Sequence, residues 1–282
     1  MKQIHRGVVY DWLRHDKKFP HVWCPGCGHG ILLGSLLRTL SNSGLDKDEV
    51  ALVSGIGCSG RLPVYVDVGS VHTTHGRALT FATGIKLFKP NLTVIAVMGD
   101  GDATAIGGNH LIHAARRNLD ITSIIINNQT YGMTGGQYSP TTPLGYKATT
   151  ASYGHIEPSF DISGLAAAAG AAFVARSTVY HVTQLDDMLL QAINKPGFGV
   201  VEVLSPCPTN LGRQNKLGTN VDMMKDLKSR AMRIEQWEKA SAEKREGRVP
   251  IGVLVDRETP RYLESYKEVC NRAMKKRQEA GA

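Results

Sequence analysis

Two oxygen-rich segments begin where apolar runs stop. After residues 93–98, TVIAVM, come Gly99, Asp100, Gly101 and Asp102; after 121–126, ITSIII, come Asn127, Asn128, Gln129 and Thr130. Each run has the length and β-branched content of a buried strand, and the segment between them has room for one crossover helix. The two strand ends are then neighbours, and a carboxylate meets an amide carbonyl at one edge of a sheet. Hard oxygens of this kind suit Mg2+, which takes few protein ligands and completes its shell with phosphate oxygens. The glycines let backbone approach a diphosphate closely. Taken singly each segment reads equally as a turn; the chemistry rests on the pair.

Four cysteines form a second set. Cys24 and Cys27 make a CxxC with Pro25 and Gly26 between them. Two such thiolates reach one centre, as a redox pair or as half a zinc site. A zinc ribbon needs a second CxxC, and a thioredoxin-like motif needs a strand before it; residues 15–23 are polar and broken by Pro20. Cys58 follows the apolar run 50–53, and Cys207 follows the run 199–204. Both therefore belong at carboxyl strand ends, the side that carries Asp100 and Asn128. Four thiolates meeting there fit a 4Fe–4S cluster, and Cys followed by Pro recurs in cluster loops. A four-cysteine zinc site is equally allowed by ligand type alone. Cys270, in a charged tail, reads as an incidental thiol.

The elements that must position these groups alternate along the chain. Apolar residues at 31–40 recur at helical spacing, with Gly44 as a stop; 78–87 does the same before Pro90. Helices fit 103–117, 162–169 and 183–193, and short strands fit 50–53, 172–175 and 199–204. Continuous apolar strands alternating with helices predict an α/β fold, a parallel sheet covered on both faces, with ligand sites beyond the carboxyl strand ends. Residues 132–150, rich in Gly, Thr, Pro and Tyr, predict a functional loop. We expect an α/β domain over 1–212 and a basic C-terminal arm over 213–282. The arm, with helices at 221–239 and 260–277, would pack on the body or on a partner.

Composition narrows the classes. The 282 residues are 42% hydrophobic and 21% charged, which excludes a disordered or disulfide-scaffold chain. No stretch is long and apolar enough for a membrane span, and the opening MKQIHRGVVYDWLRHDKKF has no signal-type apolar region, so a cytoplasmic protein is expected. The net charge of +8 is concentrated after residue 212, where 17 Lys and Arg face 11 Asp and Glu. Aromatics are 6% and no basic stripe with interleaved aromatics occurs, which argues against nucleic-acid binding. The tail charge instead suits acidic ferredoxin, coenzyme A or a dicarboxylate.

The paired segments resemble the thiamine diphosphate signature, GDG followed by NN. Together with the cysteines, the chain resembles the beta subunits of the 2-oxoacid:ferredoxin oxidoreductases. The matching stretches are Trp23 with CPGCGHG, GIGCSGR (55–61), HTTHGRA (72–78), GDGDATAIGGNH (99–110), NNQTYGMTGGQ (127–137) and SPCPTN (205–210). The resemblance implies a thiamine diphosphate-binding fold. It implies Mg2+ held by Asp100, Asn128 and the Thr130 carbonyl. Contacts to the cofactor would come from Gly57, Cys58, Ser59, His75, Gly99, Asp100, Gly101, Asp102, Asn128, Thr130, Gly132, Met133 and Thr134. One 4Fe–4S cluster would be ligated by Cys24, Cys27, Cys58 and Cys207.

In that family a 2-oxo acid loses CO2 on the thiamine cofactor, electrons leave through the cluster to ferredoxin, and coenzyme A captures the acyl group. His75 is the expected catalytic histidine; His29 and His72 have weaker claims, and Arg77 is a candidate phosphate contact or a solvent-facing charge. Arg61 with the paired Gly135 and Gly136 resembles the 2-oxoglutarate branch, Arg61 being the expected carboxylate-binding residue; a pyruvate or broad 2-oxo acid enzyme is the alternative. A non-oxidative thiamine-dependent decarboxylase subunit is a further one. No second α/β half that would hold the aminopyrimidine is present in 282 residues. The resemblance therefore implies a separate alpha subunit, in a hetero-oligomer with two copies of each.

Overall fold

The computed structural model describes residues 8–16 and 19–280. The opening segment read above for a targeting signal lies partly outside the described residues. In chain order, α1 (Val8–Asp11) and α2 (His29–Ser43) precede β1 (Val50–Ser54) and β2 (Gly69–His72). Then α3 (Ala78–Phe88) leads to β3 (Thr93–Gly99), α4 (Gly108–Arg117) to β4 (Ile121–Asn127), α5 (Ile162–Ala168) to β5 (Phe173–Thr178), and α6 (Val182–Asn194) to β6 (Gly199–Leu204). The last part holds α7 (Asn220–Arg230), β7 (Ala231–Arg233), α8 (Ile234–Trp237), α9 (Ala242–Arg245), β8 (Val249–Asp256) and α10 (Tyr262–Ala280).

The strands form one sheet in the order β2-β1-β3-β4-β6-β5-β8-β7. Strands β1 to β6 pair in parallel. Alternation along them sends side chains to two cores. Ile95 and Val97 of β3 and Ile124 and Ile126 of β4 pack with Leu32, Leu36 and Leu40 of α2 and Leu185 and Leu189 of α6. Val94, Ala96 and Met98 of β3 pack on the opposite face with Leu79, Leu111 and Ile162, from α3, α4 and α5. Leu36 is wholly buried, and burying such a side chain stabilises the fold by about 1.5–3 kcal/mol. Gly44 ends α2 with φ 77°, the left-handed conformation that a glycine adopts without strain.

Strand β1 has β2 on one side and β3 on the other. The chain changes sides of β1 after β2, so a crevice opens at the carboxyl ends of β1 and β3. Doubly wound sheets bind ligands at this switch point. Directly after β3, residues Asp102–Ile106 wind as a π-turn before α4 begins. Such wide turns concentrate at functional sites.

Two expectations differ from the structure. The sheet is not wholly parallel: β8 runs antiparallel to β5, with a register shift between Val174 and Ala175. The sheet also crosses the boundary expected at residue 212. The charged C-terminal segment contributes β7 and β8 to it and buries Met223, Leu227, Met232 and Ile251. The signal was weak because β8 reads VPIGVLVD, where Pro250 and Gly252 interrupt the strand pattern.

Candidate active site

A cavity of about 810 Å³ opens over the crevice. Its wall comes from four strand ends: Gly57, Cys58 and Ser59 after β1; His75 after β2; Gly99, Asp100, Gly101 and Asp102 after β3; Asn128, Thr130, Gly132, Met133 and Thr134 after β4. The structure thus brings together on one wall all the residues that the resemblance assigned to the cofactor. At Gly57, φ is 96° and the space a Cβ would take is open, so bare backbone faces the cavity.

Asp100 is 2% exposed. The hydroxyls of Ser139 and Thr141 both donate to its Oδ2, each at 2.5 Å. Burial raises its pKa, and these hydroxyls only partly offset that. Neither hydroxyl brings a positive charge. Its other oxygen faces more acceptors: the Asn128 side-chain oxygen stands 3.1 Å from Asp100 Oδ1 and 2.8 Å from the Thr130 carbonyl oxygen. In this amide orientation neither Asn128 nor Thr130 offers a donor hydrogen among these three oxygens. Turning the amide over would let its NH2 donate to both. A cation among the three would favour the amide as it stands. Mg2+ with bonds of 2.0–2.1 Å in an octahedron separates adjacent oxygens by about 2.9 Å. The donor set therefore fits Mg2+.

Beside it, Asp102 and His75 form a pair. His75 Nδ1 lies 2.6 Å from Asp102 Oδ1, which also accepts the Gly76 backbone N–H at 2.6 Å. Burial raises the Asp102 pKa, while Gly76 and His75 pull it back. Its Oδ2 is buried without a hydrogen-bond partner. A side chain at Gly55 would collide with this carboxylate. The His75 ring also meets Tyr131 edge-on at 5.9 Å. The contact is one of charge and distance, without hydrogen-bond geometry: His75 Nδ1, like Asp102 Oδ2, is buried without a hydrogen-bond partner.

Cys27 interacts electrostatically with Cys58, Cys207 and Cys24, and Cys207 also with Asp100. Burial pushes the Cys27 thiol up to about 12 and Cys58 up to about 11, and raises Cys207. Thiolates crowded in this way repel one another and need a cationic centre. Among the described residues no three His, Cys, Asp or Glu side chains close on a point small enough for one metal ion; the thiols stand as an open group. Four thiolates are the donor set of a 4Fe–4S cluster. Cys24 is exposed and Cys207 buried, so the group runs from the surface inward. Cys270 is on α10, apart from them in the fold.

The remaining candidates are placed as follows. Arg61 does not line the cavity; it lies past Ser59 in the turn Ser59–Tyr65, with its side chain exposed. Arg77 donates to the Gly76 and Ile106 carbonyls and so braces the π-turn. His72 is exposed, its Nδ1 3.0 Å from Ser54 Oγ. His29 is buried against Cys27 and Ser59, and burial lowers its pKa to about 4. Gly135 and Gly136 have φ of 118° and 88° and turn the loop back so that Gln137 joins the wall. Sequence reasoning missed Ser139 and Thr141, and missed Tyr131, Gln137, Tyr138 and Pro140 on the wall. Ser139, Thr141, Gln137, Tyr138 and Pro140 fall within the irregular loop already expected to be functional, and Tyr131 and Gln137 fall within the matching stretch 127–137.

Residues 55–203 match the family model of the thiamine pyrophosphate enzyme, C-terminal TPP binding domain. The chain is 48% identical over 269 residues to the 2-oxoglutarate synthase subunit KorB of Methanothermobacter marburgensis, covering 95% of this chain and 92% of that one. It belongs to the KorB family of 2-oxoglutarate synthase subunits. A KorB subunit of Archaeoglobus fulgidus is 55% identical over 200 residues, 71% of this chain and 74% of the other. The fold agrees with a solved 2-oxoglutarate:ferredoxin oxidoreductase from Magnetococcus marinus, which has 2-oxoglutarate, coenzyme A and succinyl-CoA bound. The TM-score is 0.85 at 31% identity, with 96% of this chain and 92% of that one covered. KorB-family chains are oxidoreductase subunits. In this member the match to the thiamine-binding model starts at Gly55 and so takes in the whole cavity wall, whereas Cys24 and Cys27 precede it and Cys207 follows it.

Proposed function

We propose that this chain is the beta subunit of a coenzyme A-dependent 2-oxoglutarate:ferredoxin oxidoreductase, converting 2-oxoglutarate to succinyl-CoA and CO2. Asp100, Asn128 and the Thr130 carbonyl would hold Mg2+ and through it a diphosphate. Bound thiamine diphosphate supplies an electron sink for loss of CO2, and a 4Fe–4S cluster on Cys24, Cys27, Cys58 and Cys207 supplies a one-electron acceptor. Ser139 and Thr141 fix the Asp100 carboxylate, so the cation meets a preset oxygen. Asp102, 2.6 Å from His75 Nδ1, would orient the ring so that a proton is taken or given at Nε2. Bare backbone at Gly57 lets the cofactor lie close, while the missing side chain at Gly101 makes room for the Tyr131 ring. Arg61, outside the wall, would meet only the part of a substrate that extends beyond the cavity. The same residues serve the reverse carboxylation; the donor potential sets direction.

The observation that carries this reading is the convergence of the Asp100, Asn128 and Thr130 oxygens on the same sheet edge as four mutually interacting thiols. A thiamine enzyme without redox chemistry has no use for the thiols. A separate alpha subunit, two copies of each subunit, an acidic ferredoxin partner and a cytoplasmic location complete the proposal. Among the described residues no helix is long and apolar enough to cross a membrane. Anaerobic co-expression with the alpha subunit tests the reading. Iron, sulfide and thiamine should all be found, and ferredoxin reduction should be faster with 2-oxoglutarate than with pyruvate. A pyruvate preference would move the chain to the broader 2-oxoacid branch. Thiamine without iron or sulfide would indicate a non-oxidative decarboxylase.

A further inference from the structure

One buried residue joins the two halves of the site and has no part in the reading above. His29 is the first residue of α2 and is 0% exposed. Its Nδ1 lies 2.8 Å from Cys27 Sγ, and its Nε2 lies 3.1 Å from Ser59 Oγ. The Trp23 ring stacks on it with centroids 5.7 Å apart, and the Trp23 Nε1–H donates to the Cys58 carbonyl at 2.8 Å. The imidazole is therefore clamped between a cysteine sulfur and a serine of the cavity wall.

We propose that His29 is a positioning residue that couples the cluster thiolate to the cofactor cavity, donating Nδ1–H to the Cys27 sulfur and accepting the Ser59 hydroxyl hydrogen at Nε2. The inference rests on the cluster ligation proposed above. A thiolate bonded to iron carries no proton, so the hydrogen in the nitrogen–sulfur contact belongs to Nδ1. A neutral ring then offers only a lone pair at Nε2, and Ser59 must donate. The Ser59 hydrogen points away from the cavity, and its lone pairs are left for whatever the cavity holds. A hydrogen bond given to a cluster sulfur stabilises the reduced, more negative cluster and raises its potential. One side chain thus sets both the electron affinity of the acceptor and the polarity of the wall beside the cofactor.

Two substitutions separate the links. Asn places an amide nitrogen where Nδ1 stands and does not reach Ser59; Gln reaches Ser59 and leaves the sulfur with the backbone N–H of residue 29 but without the side-chain donor. The cluster midpoint potential is followed by redox titration of the anaerobically assembled complex with its partner subunit. His29→Gln should shift the oxidised-to-reduced ratio about tenfold, a fall of about 59 mV for one electron, whereas His29→Asn should stay near the wild-type value. Equal shifts in both variants, or none in His29→Gln, would overturn the proposal. Pulsed EPR of the reduced wild-type complex, made with isotope-labelled histidine, should detect an imidazole nitrogen coupled to the cluster spin. If that coupling is missing, the proposal fails even where neither variant assembles. Metal analysis comes first: wild-type complex without iron and sulfide removes the cluster reading and this inference together, whereas cluster present without coupling removes only the inference.

Discussion

Asp102 and His75 come from turns after different strands, yet Oδ1 and Nδ1 stand 2.6 Å apart. The carboxylate lies on the cavity wall and against the imidazole. Asp102→Asn should therefore lower kcat by about 100-fold to 10,000-fold, the usual worth of a general acid–base group, and leave KM for the 2-oxo acid nearly unchanged. Steady-state kinetics of the assembled enzyme check this, and a change confined to KM would contradict it. Asp100, in the proposed reading, would act differently, through a cation. Asp100→Ala should weaken thiamine diphosphate binding by more than about 100-fold, and excess Mg2+ should not restore it; titration calorimetry with and without Mg2+ measures both. Asp100 and Asn128 were legible in the sequence because each follows an uninterrupted apolar run. The Asp102–His75 pairing was not, since it depends on how far the turn after β2 folds back over the turn after β3. Ser139 and Thr141 were hidden for a related reason: hydroxyls in an aperiodic loop look alike until the loop is folded.

Strands β5 and β6 and helix α5 are tied by a buried charge network. Arg176 donates to Glu202 Oε2 at 2.8 Å and also contacts Asp161. Glu202 further accepts from Asn127 Nδ2 and the Ser163 hydroxyl. Replacing only the cation leaves a buried carboxylate without its partner, so Arg176→Met should cost about 3–5 kcal/mol, read as a lowered denaturation midpoint. Helix α3 carries a milder case. Lys86 is 8% exposed and donates to the Leu92 carbonyl at 2.7 Å. Burial lowers its pKa below 10.5, Asp120 opposing and Arg261 adding. In the window just below 10.5 this lysine therefore binds more protons in the unfolded chain than in the folded one, and its contribution to stability rises with pH there. The raised thiols of Cys27, Cys58 and Cys207 act with the opposite sign in the same window, so the Lys86 contribution is read as a difference: in urea denaturation from pH 8.5 to about 10.5 the wild type should gain stability with pH relative to Lys86→Met. At this scale the parallel strands were readable from their apolar runs. Strand β2, GSVH, was not, because all four residues are exposed and no burial pattern marks it.

The whole molecule offers one half of a reaction chamber. The cavity wall carries Asp100, Asn128, His75 and one of the four thiols, Cys58, and in the proposed assembly the alpha subunit would cover its far side. The purified chain alone should show no ferredoxin reduction with 2-oxoglutarate, and adding the alpha subunit should restore it; normal turnover by the single chain would contradict the subunit assignment. How β7 and β8 extend the sheet was not legible, because the charge of the C-terminal segment masks its few buried apolar positions. Those additions also decide what lies at the two margins of the sheet. One margin is the four-residue β2 and the other the three-residue β7. Borders this short leave few free amides and carbonyls on which a stray chain could template. A protein awaiting a second gene product for its cofactor pocket is thereby protected against fibrillar self-association during the wait.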